Sequence, residues 1–309
     1  MAILILMTGL ALARDIVTIS SEKTAVIDRG KGTAVWQKNV HVLRKSTGST
    51  LITDRFSIER DRSSGRVVRA EAYGNVKATY FRNSVNAGEK PNGKQTDSTR
   101  KPHSTISCQQ ITFNRNLKLV QLNGTVNIQS EEFDLQAETV RYDYQAERGS
   151  FTAKKGDQVR FGFYKMAQTD NPDGDQLESN QISGMADEIR IDRPALKAVL
   201  QGNVMIVDHS DQSEFKAERA ELFFDKREEI ETIIANGNFS MVQPGRSSRS
   251  ERAVFEYDKE EVTLIGNALV KEKDDLEVSS ARIKMYMKVE KGIITGDNDI
   301  PVKMNIDIE

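Results

Sequence analysis

The chain is poor in the residues on which most cofactor and redox chemistry depends. Its 309 residues include one cysteine, Cys108, and three scattered histidines, His41, His103 and His209. One thiol excludes an internal disulfide, a CxxC pair and a multi-cysteine zinc site, and three isolated imidazoles leave little for a histidine metal centre. Trp36 is the sole tryptophan, and no aromatic-rich segment suggests a sugar platform. There is no P-loop, no GxGxxG after a strand, no GxSxG elbow and no HExxH. Charge leans neither way: 44 Lys and Arg against 46 Asp and Glu leave −2. That balance disfavours a nucleic-acid binder and, with it, wholesale disorder. Apolar residues are only 38% of the chain, so a thickly cored enzyme is not expected.

Long apolar runs are scarce too. The one that stands out is Ala2 to Ala13, AILILMTGLALA. A transmembrane helix needs about 20 apolar residues, and this run is shorter. Ala11-Leu12-Ala13 before Arg14 has the small-x-small form of a cleavage site, so residues 1–13 read as a signal peptide of an exported protein.

What the chain does have is a repeat. A small residue, usually followed by an acid, leads into apolar-x-apolar at Ser21, Thr53, Cys108, Ala137, Ala186, Ala217, Ser250 and Ser280. The second position is Glu22, Asp54, Gln109, Glu138, Asp187, Glu218, Glu251 and Ala281, and five of the seven intervals fall between 29 and 33 residues. A Gly/Asn turn and a new alternating run follow each start, as in GNVKA at Gly74, GNVMIV at Gly202, GNFSMV at Gly237 and GNALV at Gly266. Gly and Asn accept positive φ and suit a tight corner. Within units the apolar period is two: Ile189 and Ile191 flank Arg190, and Ile283 and Met285 flank Lys284. Such alternation marks strands with one dry and one wet face. The expectation is an all-β chain of about eight 30-residue repeats, whose dry faces are buried by stacking.

Two polar stretches break the plan, 83–105 and 167–180, and are expected as mobile loops. Asp170, Asp173 and Asp175 fall in the second but lack the EF-hand spacing, and an ordinary acidic turn is expected there. The pairs Asp274-Asp275 and Asp297/Asp299 sit in turn-like sequence and read as solvated corners rather than a glycosidase pair. Cys108 holds a slot that is Ser, Thr or Ala in other repeats, so packing is its expected role. Trp36 is likewise expected to pack.

The repeated start together with the GNV corner resembles the OstA-like family. That family includes LptA, LptC and the N-terminal domain of LptD, and the resemblance is clearest in ADEIRI at Ala186 with LQGNVMIV at Leu200, and in AERAEL at Ala217 with ANGNFSMV at Ala235. It runs from about Ser20 to Val302. It implies an OstA-like β-jellyroll, a V-shaped stack of antiparallel strands, over 14–309, as one module or as two in tandem at 14–166 and 182–309. It further implies a non-catalytic periplasmic carrier of lipopolysaccharide with no cofactor. Its partners would be lipid A, other transport components at the inner and outer membranes, and further copies joined end to end. Alternation puts Phe56/Ile58, Ile111/Phe113, Val140/Tyr142, Ile189/Ile191, Leu222/Phe224, Phe255/Tyr257 and Ile283/Met285 each on one face, and the resemblance implies that this face is the lipid groove. A structural β-solenoid of the cell envelope is the alternative that remains open.

Overall fold

The computed structural model describes residues 17–81, 103–130, 133–164, 180–227, 229–272, 276–286, 292–295 and 302–306. Strand accounts for 76% of them, and none is helical. The segment 1–13, the acidic turn Asp170–Asp175 and the pairs Asp274-Asp275 and Asp297/Asp299 lie outside the described residues. So do the polar insertions, apart from His103 to Thr105 and Asn180. Ser104, Thr105 and Asn180 are strand residues: Ser104 pairs with both Tyr80 and Ser130, and that pairing overrides its polar character.

The chain divides into two compact units, Met1–Ala146 and Glu147–Glu309, so the division precedes the second insertion. The first unit contains β1 (Val17–Ser20), β2 (Val26–Asp28), β3 (Thr33–Arg44), β4 (Thr50–Arg60), β5 (Val67–Tyr80), β6 (Ser104–Asn114), β7 (Leu119–Ser130) and β8 (Phe133–Asp143). From β3 to β8 each strand pairs antiparallel with the next, while β1 and β2 share β3 as their partner.

The second unit contains β9 (Arg148–Thr152), β10 (Val159–Tyr164), β11 (Asn180–Ala186), β12 (Glu188–Asp192), β13 (Lys197–Asp208), β14 (Ser213–Phe224) and β15 (Ile230–Gln243). It continues with β16 (Arg246–Glu256), β17 (Glu261–Glu272), β18 (Leu276–Tyr286), β19 (Gly292–Thr295) and β20 (Lys303–Ile306). β13 to β18 form an uninterrupted antiparallel ladder. At one end β12 takes one half of β13 and β11 the other; at the far end β19 and β20 divide β18 in the same way. Each sequence repeat is thus a hairpin, one strand bearing the acid and the next bearing the Gly-Asn corner.

The repeated acid now has a physical role. Asn39 donates to Glu22 at 2.6 Å, Asn75 to Asp54 at 3.0 Å, Asn203 to Asp187 at 3.0 Å, Asn238 to Glu218 at 2.6 Å and Asn267 to Glu251 at 2.7 Å. Each bond ties an acid to the corner of a following strand, and Glu22 itself lies between β1 and β2. The corner itself is two consecutive left-handed residues, as at Gly237 (φ 79°) and Asn238 (φ 48°). These two residues and Phe239 face Ala217 and Glu218, so the ladder slips register there, and equivalent slips recur along both units. A bulge of this kind bends and twists the strand. The small residue beside the acid fills the inside of the bend. Thr53, Cys108 and Ser250 each donate to the carbonyl two residues on, Cys108 through its thiol at 3.4 Å.

In the second unit the bent strands make two layers. The halves before and after the corner carry their own rows of inward side chains. One row runs Leu200, Ala220, Ala235, Ala253, Leu264 and Ile283 across successive strands. The neighbouring row contains Leu222, Ile233 and Phe255. On the other side of the corner Ile206, Phe215, Met241 and Ser248 are aligned. Phe215 and Phe255 therefore sit on opposite sides of the bend, yet their rings stack at 4.9 Å. Phe239, just past the corner, touches both at 5.8 and 5.9 Å. The two halves face each other over an apolar interior, with the corners as a spine.

Candidate functional site

The apolar seam between the layers is the feature with the clearest potential to hold a ligand. Of the residues singled out from the sequence, Phe56, Ile111, Phe113, Val140, Ile189, Leu222, Phe255, Ile283 and Met285 are buried. Ile58, Tyr142, Ile191, Phe224 and Tyr257 are half-buried. Backbone register gathers them within each unit. Phe56, Ala72, Ile111, Leu122 and Val140 share one row in the first unit, and Ile58, Ala70, Phe113, Val120 and Tyr142 the next. In the second unit Ile189 is continuous with the row of Leu200, and Ile191 pairs with Ala198 opposite Leu222.

The opposing wall escaped the sequence pattern. Leu51 and Ile106 in the first unit and Phe215 in the second are buried, and each stands two residues before the small residue of its repeat. Leu135 and Val278 occupy the same slot. The signal was present as an apolar residue two before the small one. It was hidden because inward residues lie at odd spacing across the corner: Ala217 and Ala220 both point inward, three residues apart.

As described, the seam is filled by its own side chains: Phe215 is 1% and Phe255 3% exposed. A ligand would enter only as the layers part. At the strand tips opposite the corners, contacts run from one layer to the other. There Tyr257 Oη donates to Asp208 Oδ2 at 3.2 Å, and Phe163 meets Phe224 edge-on at 5.9 Å. Ser248 presents a buried hydroxyl without a hydrogen-bond partner to this interior.

Burial first, and then the charge of Asp208, push the Tyr257 hydroxyl well above the ordinary phenol range. Asp211 adds to the same effect. The fold therefore favours neutral Tyr257. Its contribution to stability is complete below the unfolded phenol value of about 10 and is lost as pH rises from there toward the folded value. We expect the wild-type protein to lose stability above pH about 10 more steeply than Tyr257→Phe, by up to about 1.4 kcal/mol per pH unit. Melting curves collected from about pH 9 to about pH 11 check this, since they bracket the ordinary phenol value; parallel losses in both proteins would exclude it.

The other strongly displaced group is Cys108, whose buried thiol is pushed up to about 12. That fits a packing residue and not a nucleophile. On the outer face, charges pair off. Glu221 lies between Lys197 and Arg219, which hold its carboxyl below the usual carboxylate range, and Arg190 is paired with Glu188. Among the described residues no group of three or more His, Cys, Asp or Glu side chains is placed to hold a metal ion, and no helix is long and apolar enough to cross a membrane.

With this geometry in view, comparison with known proteins gives one match to a family. Residues 185–291 match the family described as LptA/(LptD N-terminal domain) LPS transport protein. No curated protein matches the chain. Among solved structures, LptH of Pseudomonas aeruginosa, the LptA-homologous periplasmic component of a lipopolysaccharide transport device, is similar at 14% identity. The similarity covers 51% of this chain and 89% of that one, with a TM-score of 0.33. The matched residues span β12 to β18 with their acid-to-corner bonds, from Asp187–Asn203 to Glu251–Asn267. Within the second unit, β12 to β18 are therefore similar to the family of LptA and the LptD N-terminal domain, a likeness that covers residues 185–291 of the chain.

Proposed function

We propose that the chain is a passive periplasmic carrier that holds the acyl chains of lipopolysaccharide between the layers of its β-units and passes them on toward the outer membrane. The observation that carries this reading is the unbroken apolar seam of the second unit, lying within the segment that matches a lipopolysaccharide transport family. Each methylene moved from water into such a seam is worth about 0.8 kcal/mol, so chains of lipid length need no catalytic group to be held. Transfer between like seams is close to neutral in energy. The residues expected to touch lipid are the inward ones, Ile191 and Phe255 among them. Arg190, on the outer face beside Glu188, is not.

Photocrosslinking amino acids at Ile191 or Phe255 should capture lipopolysaccharide, and one at Arg190 should give background. Equal labelling at all three positions would remove the seam as the binding site.

Carriage across a gap also needs a path from one protein to the next. A ladder of antiparallel strands ends in an edge, and unpaired backbone at an edge accepts another strand. At the N-terminal end β2 exposes Val26 (61%) and Ile27 (65%) beside that edge. We expect Ile19→Pro combined with deletion of residues 304–309 to lower self-association in analytical ultracentrifugation. An unchanged sedimentation distribution would show that copies do not meet through these strands.

A further inference from the structure

We infer that the Tyr257–Asp208 bond is a latch across the mouth of the second unit, and that it must open before an apolar ligand enters between the layers. This rests on the carrier reading for the identity of the ligand, but its geometry stands apart from it. Asp208 ends β13 at the tip of one layer, and Tyr257 follows β16 at the tip of the other. The corners join the layers along the opposite side, so these tips are where the unit would open. A hydrogen bond between residues 49 apart in sequence closes them.

Both partners are held by their own layer. The other oxygen of Asp208 accepts from the backbone N–H and hydroxyl of Ser210, at 2.9 and 2.5 Å. The backbone N–H of Tyr257 donates to the Glu231 carbonyl at 3.0 Å. With each side anchored, the bond between them is the element free to break. A second contact lies across the same mouth. Phe163 pairs with Ile182, which pairs with Asp208, so Phe163 belongs to the Asp208 tip row, and it meets Phe224 at the end of β14 in the other layer. Directly inside lies the Phe215–Phe255 stack.

Among the described residues, a mouth held by this hydrogen bond and this ring contact, over a largely apolar interior, shields the seam from water without locking it. Two tips sealed by a continuous apolar strip would open only at the full cost of exposing that strip. A part-buried hydrogen bond to a carboxylate is strong enough to favour the closed state and weak enough to be lost as the layers part, a collective motion on the microsecond to millisecond scale.

The test uses the full chain and the fluorescent apolar dye N-phenylnaphthylamine, with uptake followed by stopped flow. Tyr257→Phe should quicken uptake about tenfold, the factor expected when one hydrogen bond to a charged group no longer holds the closed state. Phe224→Ala should quicken it as well, through a different strand. Hydrogen exchange at the ends of β13 and β16 should rise in Tyr257→Phe while the corner amides stay protected. Wild-type uptake rates in both variants, with unchanged exchange at the tips, overturn the latch.

Crosslinking of lipopolysaccharide from Ile191 in the same proteins separates the two proposals. Faster dye uptake without any lipopolysaccharide capture upholds the latch and overturns the lipid assignment. Capture in wild type with no change of uptake rate in either variant upholds the carrier and overturns the latch.

Discussion

Phe255→Ala should destabilise the protein by about 3–5 kcal/mol, the range for removing a fully buried aromatic ring. The reason is specific to its position. Phe255 is the ring that both Phe215 and Phe239 rest on, so its loss empties the place where the two layers meet. The antiparallel ladders on either side are hydrogen-bonded through the backbone, which limits how far β15 and β17 can close over the gap. A residual cavity is the expected outcome, and its cost adds to the lost transfer energy. Urea unfolding followed by far-ultraviolet circular dichroism measures the effect. A loss below about 1 kcal/mol would mean that the layers are not packed on this ring, since surface substitutions rarely exceed half of that. Phe255→Leu, which keeps most of the volume, should recover more than half of the loss.

The second large effect is expected at a corner. Gly237 has φ 79°, and a Cβ there would lie 2.6 Å from a Glu218 carboxylate oxygen and 2.9 Å from the Glu218 Cβ. Gly237→Ala meets two costs. The left-handed backbone is unfavourable for alanine, and Glu218 must swing away, breaking its bond to Asn238. Together these should cost about 2–4 kcal/mol. The double-mutant cycle with Glu218→Ala separates them. In that background the penalty of Gly237→Ala should fall by about 1 kcal/mol or more, because the carboxylate contact and the bond are both gone while the contact with the Cβ at 218 remains. The same penalty in both backgrounds would assign the effect to backbone conformation and that Cβ contact.

The cycle also shows what the sequence made legible and what it did not. The pairing of Glu218 with GNF at Gly237, and of Asp187 with GNV at Gly202, is visible in sequence as a recurring acid and a recurring corner. Their spacing gives the hairpin repeat and with it the all-β architecture. That the acid serves the corner of the next strand is not visible, because contact across a ladder depends on register. Phe215 and Ile106 were missed for a related reason: alternation restarts at the bend, so a period of two followed outward from Leu222 or Ile111 loses phase before reaching the other layer. The polar start of β6 at Ser104 carries a loop-like sequence, because pairing with Tyr80 and Ser130, rather than burial of apolar surface, makes it strand. The Tyr257–Asp208 contact had no sequence signal, being a meeting of two tips brought together only once both layers exist.

The acid-to-corner bonds carry one more consequence, for how the chain comes to be folded. Each bond, and nearly every strand pairing within a unit, links residues close in sequence: Glu218 reaches Asn238, Asp54 reaches Asn75, and β14 pairs with β13 and β15. Most all-β proteins fold slowly because their pairings are distant and the loops between them are costly to close. Here a hairpin can form on its neighbour as soon as both are free to fold, and the next corner finds its acid already in place. Growth is then stepwise, like a zipper advancing one repeat at a time. An apolar seam assembled in that order is covered as it is made, so a chain bearing so much inward-facing hydrophobic surface need never display all of it to water at once.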